Sequence, residues 1–236
     1  MGSDPAVASP QGSRAAPAGA AEIGERLAEV RRRIAAVAGE PSRVAVVAVT
    51  KGFGVEVAAA AWAAGADALG ENYAQELLAK ATDVPGASWH LVGPPQRNKM
   101  AQLAGTVALW EAVDRLPVVE RLARVQPGAR LLVQVNVTGE AQKAGCRPEE
   151  AAGLVDGARR LGLDPRGLMC VGPAGDPGGA RRAFDLLAAL GRDLGLPELS
   201  MGMSDDFELA VEAGSTMVRL GRRLFGPRPG RKAGRR

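Results

Sequence analysis

Ser42-Arg43-Val44-Ala45-Val46-Val47-Ala48-Val49-Thr50-Lys51 is a β-branched apolar run long enough for one strand, and it ends on a lysine followed by Gly52-Phe53-Gly54. Apolar residues at successive rather than alternate positions predict a strand buried on both faces, as in a parallel sheet. A lysine at the end of such a strand emerges at the rim where α/β proteins bind ligands. Two readings of Lys51 stand side by side. It can snorkel from the strand end to water. Alternatively, held near apolar walls that lower its pKa, it offers a free amine to a carbonyl.

Working outward from this strand, the chain takes on a rhythm. Upstream, residues 21–38 place Ile23, Leu27, Val30, Ile34 and Val37 at helical spacing, and Gly39 and Pro41 stop the helix. Downstream, helices are predicted at 55–64, 73–81, 96–103, 116–125, from near Pro148 to 161, 179–194 and 204–213. Strands are predicted at 66–69, 88–93, 107–113, 130–137, 167–171, 199–202 and 216–220. Asp205 with Glu208 three residues on resembles a capping box at the last of these helices. Eight strands alternating with helices at roughly 20-residue intervals predict an α/β fold, a single (β/α)8 TIM barrel. The order is shifted: a helix comes first and the chain ends soon after strand eight, so the opening helix fills the eighth helical place. A doubly wound open sheet is the alternative, but Lys51-Gly52-Phe53-Gly54 does not fit the dinucleotide glycine spacing.

Composition bounds the function. The chain has 236 residues, 46% of them hydrophobic, which suits a single core. Aromatic residues make up only 3%, with one tyrosine, Tyr73, and one histidine, His90, so candidates for acid or base are few. Of the net charge of +4, five positive charges lie in 226–236, leaving −1 for the rest. A nucleic-acid footprint would therefore sit in the tail, which reads as a solubilising extension, and no specific nucleic-acid partner is expected. Residues 1–20, rich in Ala, Pro, Gly and Ser, read as a disordered head, 21–226 as the barrel, and 227–236 as a basic flexible tail. Cys146 and Cys170 fit neither a disulfide framework nor, with one histidine, a metal site. No leader-like segment or membrane-spanning run is legible, so a cytoplasmic protein is expected.

In the barrel reading, Lys51, Glu71, Asn72, His90, Asp114, Asn136, Met169, Ser204, Arg219 and Gly221 stand at strand ends and share one mouth. Singly, each has an ordinary structural reading, as a helix cap, a satisfied histidine or half of a salt bridge. Together they form a pocket with a lysine, an arginine and several donors. Gly202-Met203-Ser204 leads into a helix start, and Gly221-Arg222 follows the last strand; both suit a phosphate. A lysine for an aldehyde and a cradle for a phosphate suggest pyridoxal phosphate.

At this point the chain resembles the pyridoxal phosphate homeostasis proteins, single-domain relatives of the alanine-racemase N-terminal barrel. The segments that carry the resemblance are 48–51 (AVTK), 70–76 (GENYAQE), 89–99 (WHLVGPPQRNK), 143–145 (KAG), 167–169 (GLM), 199–206 (LSMGMSDD), 214–221 (GSTMVRLG) and Phe225-Gly226. The match runs from about residue 21 to 228, and Gly52-Phe53-Gly54 departs from it. The resemblance implies that Lys51 holds pyridoxal 5′-phosphate as an internal aldimine and that Ser204, Gly221 and Arg222 contact its phosphate, the last two through backbone N–H groups. It implies further that Arg219 approaches the pyridine nitrogen or the phosphate, and that Asn72, His90 and Met169 line the ring pocket. An arginine near the ring nitrogen weakens the electron sink that carbanion chemistry needs.

The first functional reading is a non-catalytic carrier that sequesters pyridoxal phosphate and hands it to apo-enzymes. The second is a racemase-like enzyme, which needs a second acid/base opposite Lys51. Racemases take that group, a tyrosine, from an additional domain, and Tyr73 is here the one candidate. A third reading, an aldolase using Lys51, drops the cofactor. A monomer is expected, and Lys143 on the 138–147 loop is a candidate lid residue.

Overall fold

The structure, a computed structural model, describes residues 18–38, 44–140 and 143–228. Eight strands form one closed barrel in chain order: β1 (Ala45–Val49), β2 (Ala68–Glu71), β3 (Trp89–Leu91), β4 (Val107–Val113), β5 (Arg130–Gln134), β6 (Asp164–Met169), β7 (Glu198–Ser200) and β8 (Met217–Leu220). Every neighbouring pair is parallel, and β1 against β8 closes the ring, with Val47 opposite Arg219. The helices are α1 (Ala20–Ala38), α2 (Val55–Ala63), α3 (Ala74–Ala81), α4 (Met100–Leu103), α5 (Leu116–Val125), α6 (Ala151–Arg160), α7 (Pro177–Asp193), α8 (Phe207–Glu212) and α9 (Arg222–Phe225). The chain is therefore the (β/α)8 barrel that the rhythm of the sequence implies, with the helix first and the last strand near the end.

Two apolar layers hold the barrel together. Val47, Val49, Ala68, Val92, Leu109, Leu132, Met169 and Met217 pack in the interior, while the other strand faces join the helices in a larger cluster. The opening helix buries Ile23, Leu27, Val30 and Ile34 and packs between α2 and α8, so it does occupy the eighth place in the ring. Arg26 fixes it there by donating to the Leu224 carbonyl (3.1 Å). Ala18, assigned by sequence to a disordered head, is buried and its N–H reaches the Phe225 carbonyl (3.3 Å). The rest of that head, residues 1–17, and positions 229–236 of the expected tail lie outside the described residues, as do Gly39, Pro41, Ser42 and Arg43.

The differences from the sequence reading are local. β6 begins at Asp164 rather than Gly167, because it pairs along β5 from Arg130 onward; the register shift between Leu131 and Leu132 lies beside Pro165, which has no N–H to give. β5 ends at Gln134, and Val135 adds a single bridge to Cys146. Asp205 and Glu208 form no capping box. Asp206 is the N-cap residue but its side chain makes no cap bond; its Oδ1 accepts from the preceding Met203 N–H (2.6 Å), while Asp205 pairs with Arg222 and Glu208 with Arg33.

Candidate functional site

Short strands and tight turns bring the site together at the C-terminal mouth of the barrel. A cavity of about 710 Å³ opens there, with Lys51, Asn72, Met169, Ser204, Arg219, Gly221 and Arg222 in its lining. These are seven of the eight residues the sequence singled out for a cofactor. Its apolar walls come from Val49, Phe53, Val92 and Val171.

Lys51 follows β1 on a turn in which Gly52 has φ +77°, a conformation that glycine adopts without strain. Its amine makes no hydrogen bond or ion pair with any described residue. Burial lowers the Lys51 pKa, and the nearby charges of Arg228 and Arg219 lower it further, against the smaller opposing pull of Glu71 and Glu76. Arg228, which the sequence places in the basic tail, lines the cavity, and a Cβ on Gly52 would come within 3.4 Å of its Cδ.

Arg219 is buried and held by three hydrogen bonds of 2.7 Å, to the Ser200 carbonyl and hydroxyl and to the Cys170 carbonyl. The rest of the anion-suited rim is built from backbone. Gly202 has φ +94°, and a Cβ there would lie 2.6 Å from that of Ala210, so only glycine lets the chain leave β7 in this way. A Cβ on Gly221 would lie 3.1 Å from the Val49 carbonyl oxygen, which puts the end of β8 close against the end of β1. The Ser204 hydroxyl accepts from the Arg223 N–H (3.2 Å), tying the loop after β7 to the turn after β8. Arg222 reaches Asp205 with its guanidinium.

The structure does not bring His90 into this cavity. Its side chain is on the interior face of β3 at mid-strand depth, where Nδ1 lies 2.7 Å from Glu111 Oε1. Glu111 also accepts from the Ser200 hydroxyl (2.6 Å) and lies 4.0 Å from Arg219 Nη1. Burial pushes the Glu111 carboxyl up, but the hydrogen bond from His90, the charges of His90 and Arg219, and the Ser200 bond outweigh it and hold the carboxyl below the usual range. His90 therefore belongs to a polar floor under the cavity and supports Arg219 indirectly. Sequence reasoning missed Glu111, although a lone carboxylate within Val107–Val113 is a signal, since a buried charge requires partners.

Other expected mouth residues also turn aside. Asp114 pairs with Arg115, and Asn136 organises its own loop through the Glu140 and Lys143 carbonyls. Tyr73 does stand at a helix start, as the N-cap of α3, but it is 57% exposed. It borders a separate groove of about 610 Å³ with Gln96, Arg97 and Arg115. Lys143 pairs with Glu140, and its neighbour Ala144 reaches the cavity lining. Both cysteines are buried, and burial pushes each thiol up to about 12.

Known proteins share this architecture. The family model for the N-terminal domain of alanine racemase matches residues 23–229. A pyridoxal phosphate homeostasis protein of Pseudomonas aeruginosa is 40% identical over 220 residues, covering 87% of this chain and 96% of that one. The structure of PipY from Synechococcus elongatus with pyridoxal phosphate bound superposes with a TM-score of 0.74 at 32% identity, covering 86% of this chain and all of that one. An alanine racemase of Clostridium difficile gives a TM-score of 0.71 at 14% identity and is covered over only 58% of its length, a likeness of fold alone.

Proposed function

The chain belongs to the pyridoxal phosphate homeostasis protein family, and we propose that it binds pyridoxal 5′-phosphate at Lys51 and holds it in reserve rather than turning over a substrate. The observation that carries this reading is a lysine of lowered pKa, without a hydrogen-bond or ion-pair partner among the described residues, at the mouth of a cavity that also presents a buried arginine and glycine-lined turns. The residues present fit the cofactor. Its ring suits the walls made by Val49, Val92, Met169 and Val171, and its phosphate suits Ser204 and the backbone at Gly221 and Arg222, where the first turn of a helix leaves N–H groups free. When bound, pyridoxal phosphate supplies an aldehyde that condenses with an amine. Lys51 contributes the nucleophile, kept reactive by burial and by two guanidiniums. Arg219 is fixed by its three hydrogen bonds and presents its guanidinium to the cavity as a donor without acceptor capacity. The binding unit extends past the expected limit of residue 226 to include Arg228.

The shortage of a second base supports storage over racemisation. Apart from Lys51, the acid/base group in the cavity lining is Asp205, which Arg222 engages. Tyr73 faces the neighbouring groove. Among the described residues no helix is long and apolar enough to cross a membrane. A cytoplasmic monomer that delivers its cofactor to apo-enzymes is the setting this reading implies, and gel filtration checks the monomer.

Adding pyridoxal phosphate to cofactor-free protein is expected to produce a visible absorption band, and borohydride to fix the mass increment on the peptide containing Lys51. Lys51→Ala is expected to lose both. A wild-type protein that gains neither overturns the reading. Loss of optical rotation with an L-amino acid would replace storage by racemisation, whereas activation of an apo-enzyme by the loaded protein supports delivery.

A further inference from the structure

A second lysine lies beneath Lys51, on the helix side of the barrel wall. Lys80, on α3, is buried, and its Nζ donates to the Thr50 carbonyl (2.8 Å) and pairs with Glu71 Oε1. The same Glu71 oxygen accepts from the Thr50 hydroxyl (2.7 Å), and Lys80 also lies 3.6 Å from Glu76 Oε2. That Glu76 oxygen accepts from the Gly52 N–H (2.8 Å). The backbone on both sides of Lys51 is therefore held by one cluster: Thr50 through its carbonyl and hydroxyl, Gly52 through its amide. The Thr50 N–H is held as well, by the Gly70 carbonyl (3.0 Å).

A buried ion pair is a poor way to add stability, because apolar side chains of similar volume do as well or better. What Lys80 does here that an apolar residue cannot is to grip a carbonyl and engage one oxygen of each of two carboxylates at once. The charged groups that face Lys51 are Arg228 from the C-terminal segment, Arg219 from β8, Glu71 from β2 and Glu76 from α3. Asp205 and Arg222, also in the lining, engage each other. Of these, Glu71 and Glu76 are the carboxylates that could draw Lys51 into an ion pair; one oxygen of each is turned to Lys80, and Glu71 Oε2 is buried with no hydrogen-bond partner among the described residues.

We propose that Lys80 is a positioning residue for Lys51: it clamps the Thr50–Gly52 backbone and claims Glu71 and Glu76, so that the Lys51 amine enters the cavity without a carboxylate partner. This rests on the reading of Lys51 as the amine that takes the cofactor. The idea that Glu71 serves only as an internal salt-bridge partner would make the cluster interchangeable with packed apolar groups.

The test compares wild type, Lys80→Met, the pair Glu71→Gln/Lys80→Met, and Lys80→Arg, each checked for folding by thermal melting. The pair removes both buried charges together, so it carries the test where the single variant does not fold. In cofactor-free protein, the pH midpoint for acetylation of Lys51 by limiting acetic anhydride is read by mass spectrometry. It is expected to rise in Lys80→Met, where Glu71 and Glu76 are released, and to return toward wild type in the pair. Capture of pyridoxal phosphate, read after borohydride trapping, is expected to slow at least tenfold in both, with recovery to within threefold in Lys80→Arg. Affinity for 4-deoxypyridoxine 5′-phosphate, which has no aldehyde, is expected to stay within twofold. Unchanged capture in the pair overturns the inference, as does a parallel loss of capture and of deoxypyridoxine phosphate affinity. If wild type captures no pyridoxal phosphate while Lys80→Met still moves the acetylation midpoint, the cofactor reading falls and the positioning role stands.

Discussion

Lys51 and Arg228 interact across a distance in sequence that hides their relation. One follows the first strand and the other sits beyond the last helix, yet ring closure puts both in the same cavity lining. Because Arg228 is a major cause of the lowered Lys51 pKa after burial, Arg228→Ala is expected to raise the pH at which the Lys51 amine becomes reactive. Acetylation kinetics against pH in cofactor-free protein measure that shift. At this scale the sequence disclosed residues whose position alone implies chemistry, such as a lysine after a doubly buried strand. It assigned His90 to the cavity because it shows which face of a strand a residue occupies but not how deep in the barrel. β3 ends at Leu91, and His90 lies a level below the mouth, against Glu111. Arg228 was read from composition as part of a basic tail, and only the turn after Phe225 brings it back over Gly52.

The loop after β7 owes its shape to a short sequence of constraints. Gly202 takes φ +94°, Met203 donates to Asp206, and Ser204 receives the Arg223 amide, so three residues set the path of one rim of the cavity. Gly202→Ala would force a Cβ to within 2.6 Å of Ala210 Cβ in a backbone conformation that costs non-glycine residues about 1–3 kcal/mol before any clash. Urea denaturation is expected to show at least that loss, and pyridoxal phosphate affinity should fall with it because Ser204 moves. Element types were readable here from periodicity, but caps were not. Asp205 and Glu208 have the right spacing for a capping box, yet Arg222 and Arg33 arrive from other elements and take them. Which partner an exposed carboxylate finds is settled by tertiary packing, and no local pattern records it.

Ring closure is the property of the whole molecule that the sequence displayed best, because eight buried strands at a regular interval leave few alternatives to a barrel. What it could not display is that the interior is polar at one level. His90, Glu111, Ser200 and Arg219, from β3, β4, β7 and β8, meet across the middle of the barrel. Glu111 titrates below its unfolded value, so the native state binds fewer protons than the unfolded chain as pH falls. The stability it contributes is complete above the unfolded pKa of about 4.3 and is lost as pH drops through the native pKa. Glu111→Gln is therefore expected to be less stable than wild type at neutral pH, with the gap narrowing on acidification; urea midpoints from pH 7 to pH 3 measure it. A charged network linking four strands makes acid unfolding a failure of the entire ring rather than of one edge.

The two cysteines, sealed in the wall with thiols pushed up to about 12, have a bearing on what the cavity can safely contain. A reactive carbonyl compound lodged there meets one amine in the described lining and no thiol, while the guanidiniums beside it are poor nucleophiles. The compartment is chemically single-valued: one electrophile, one address, and no thiol in the lining to divert it.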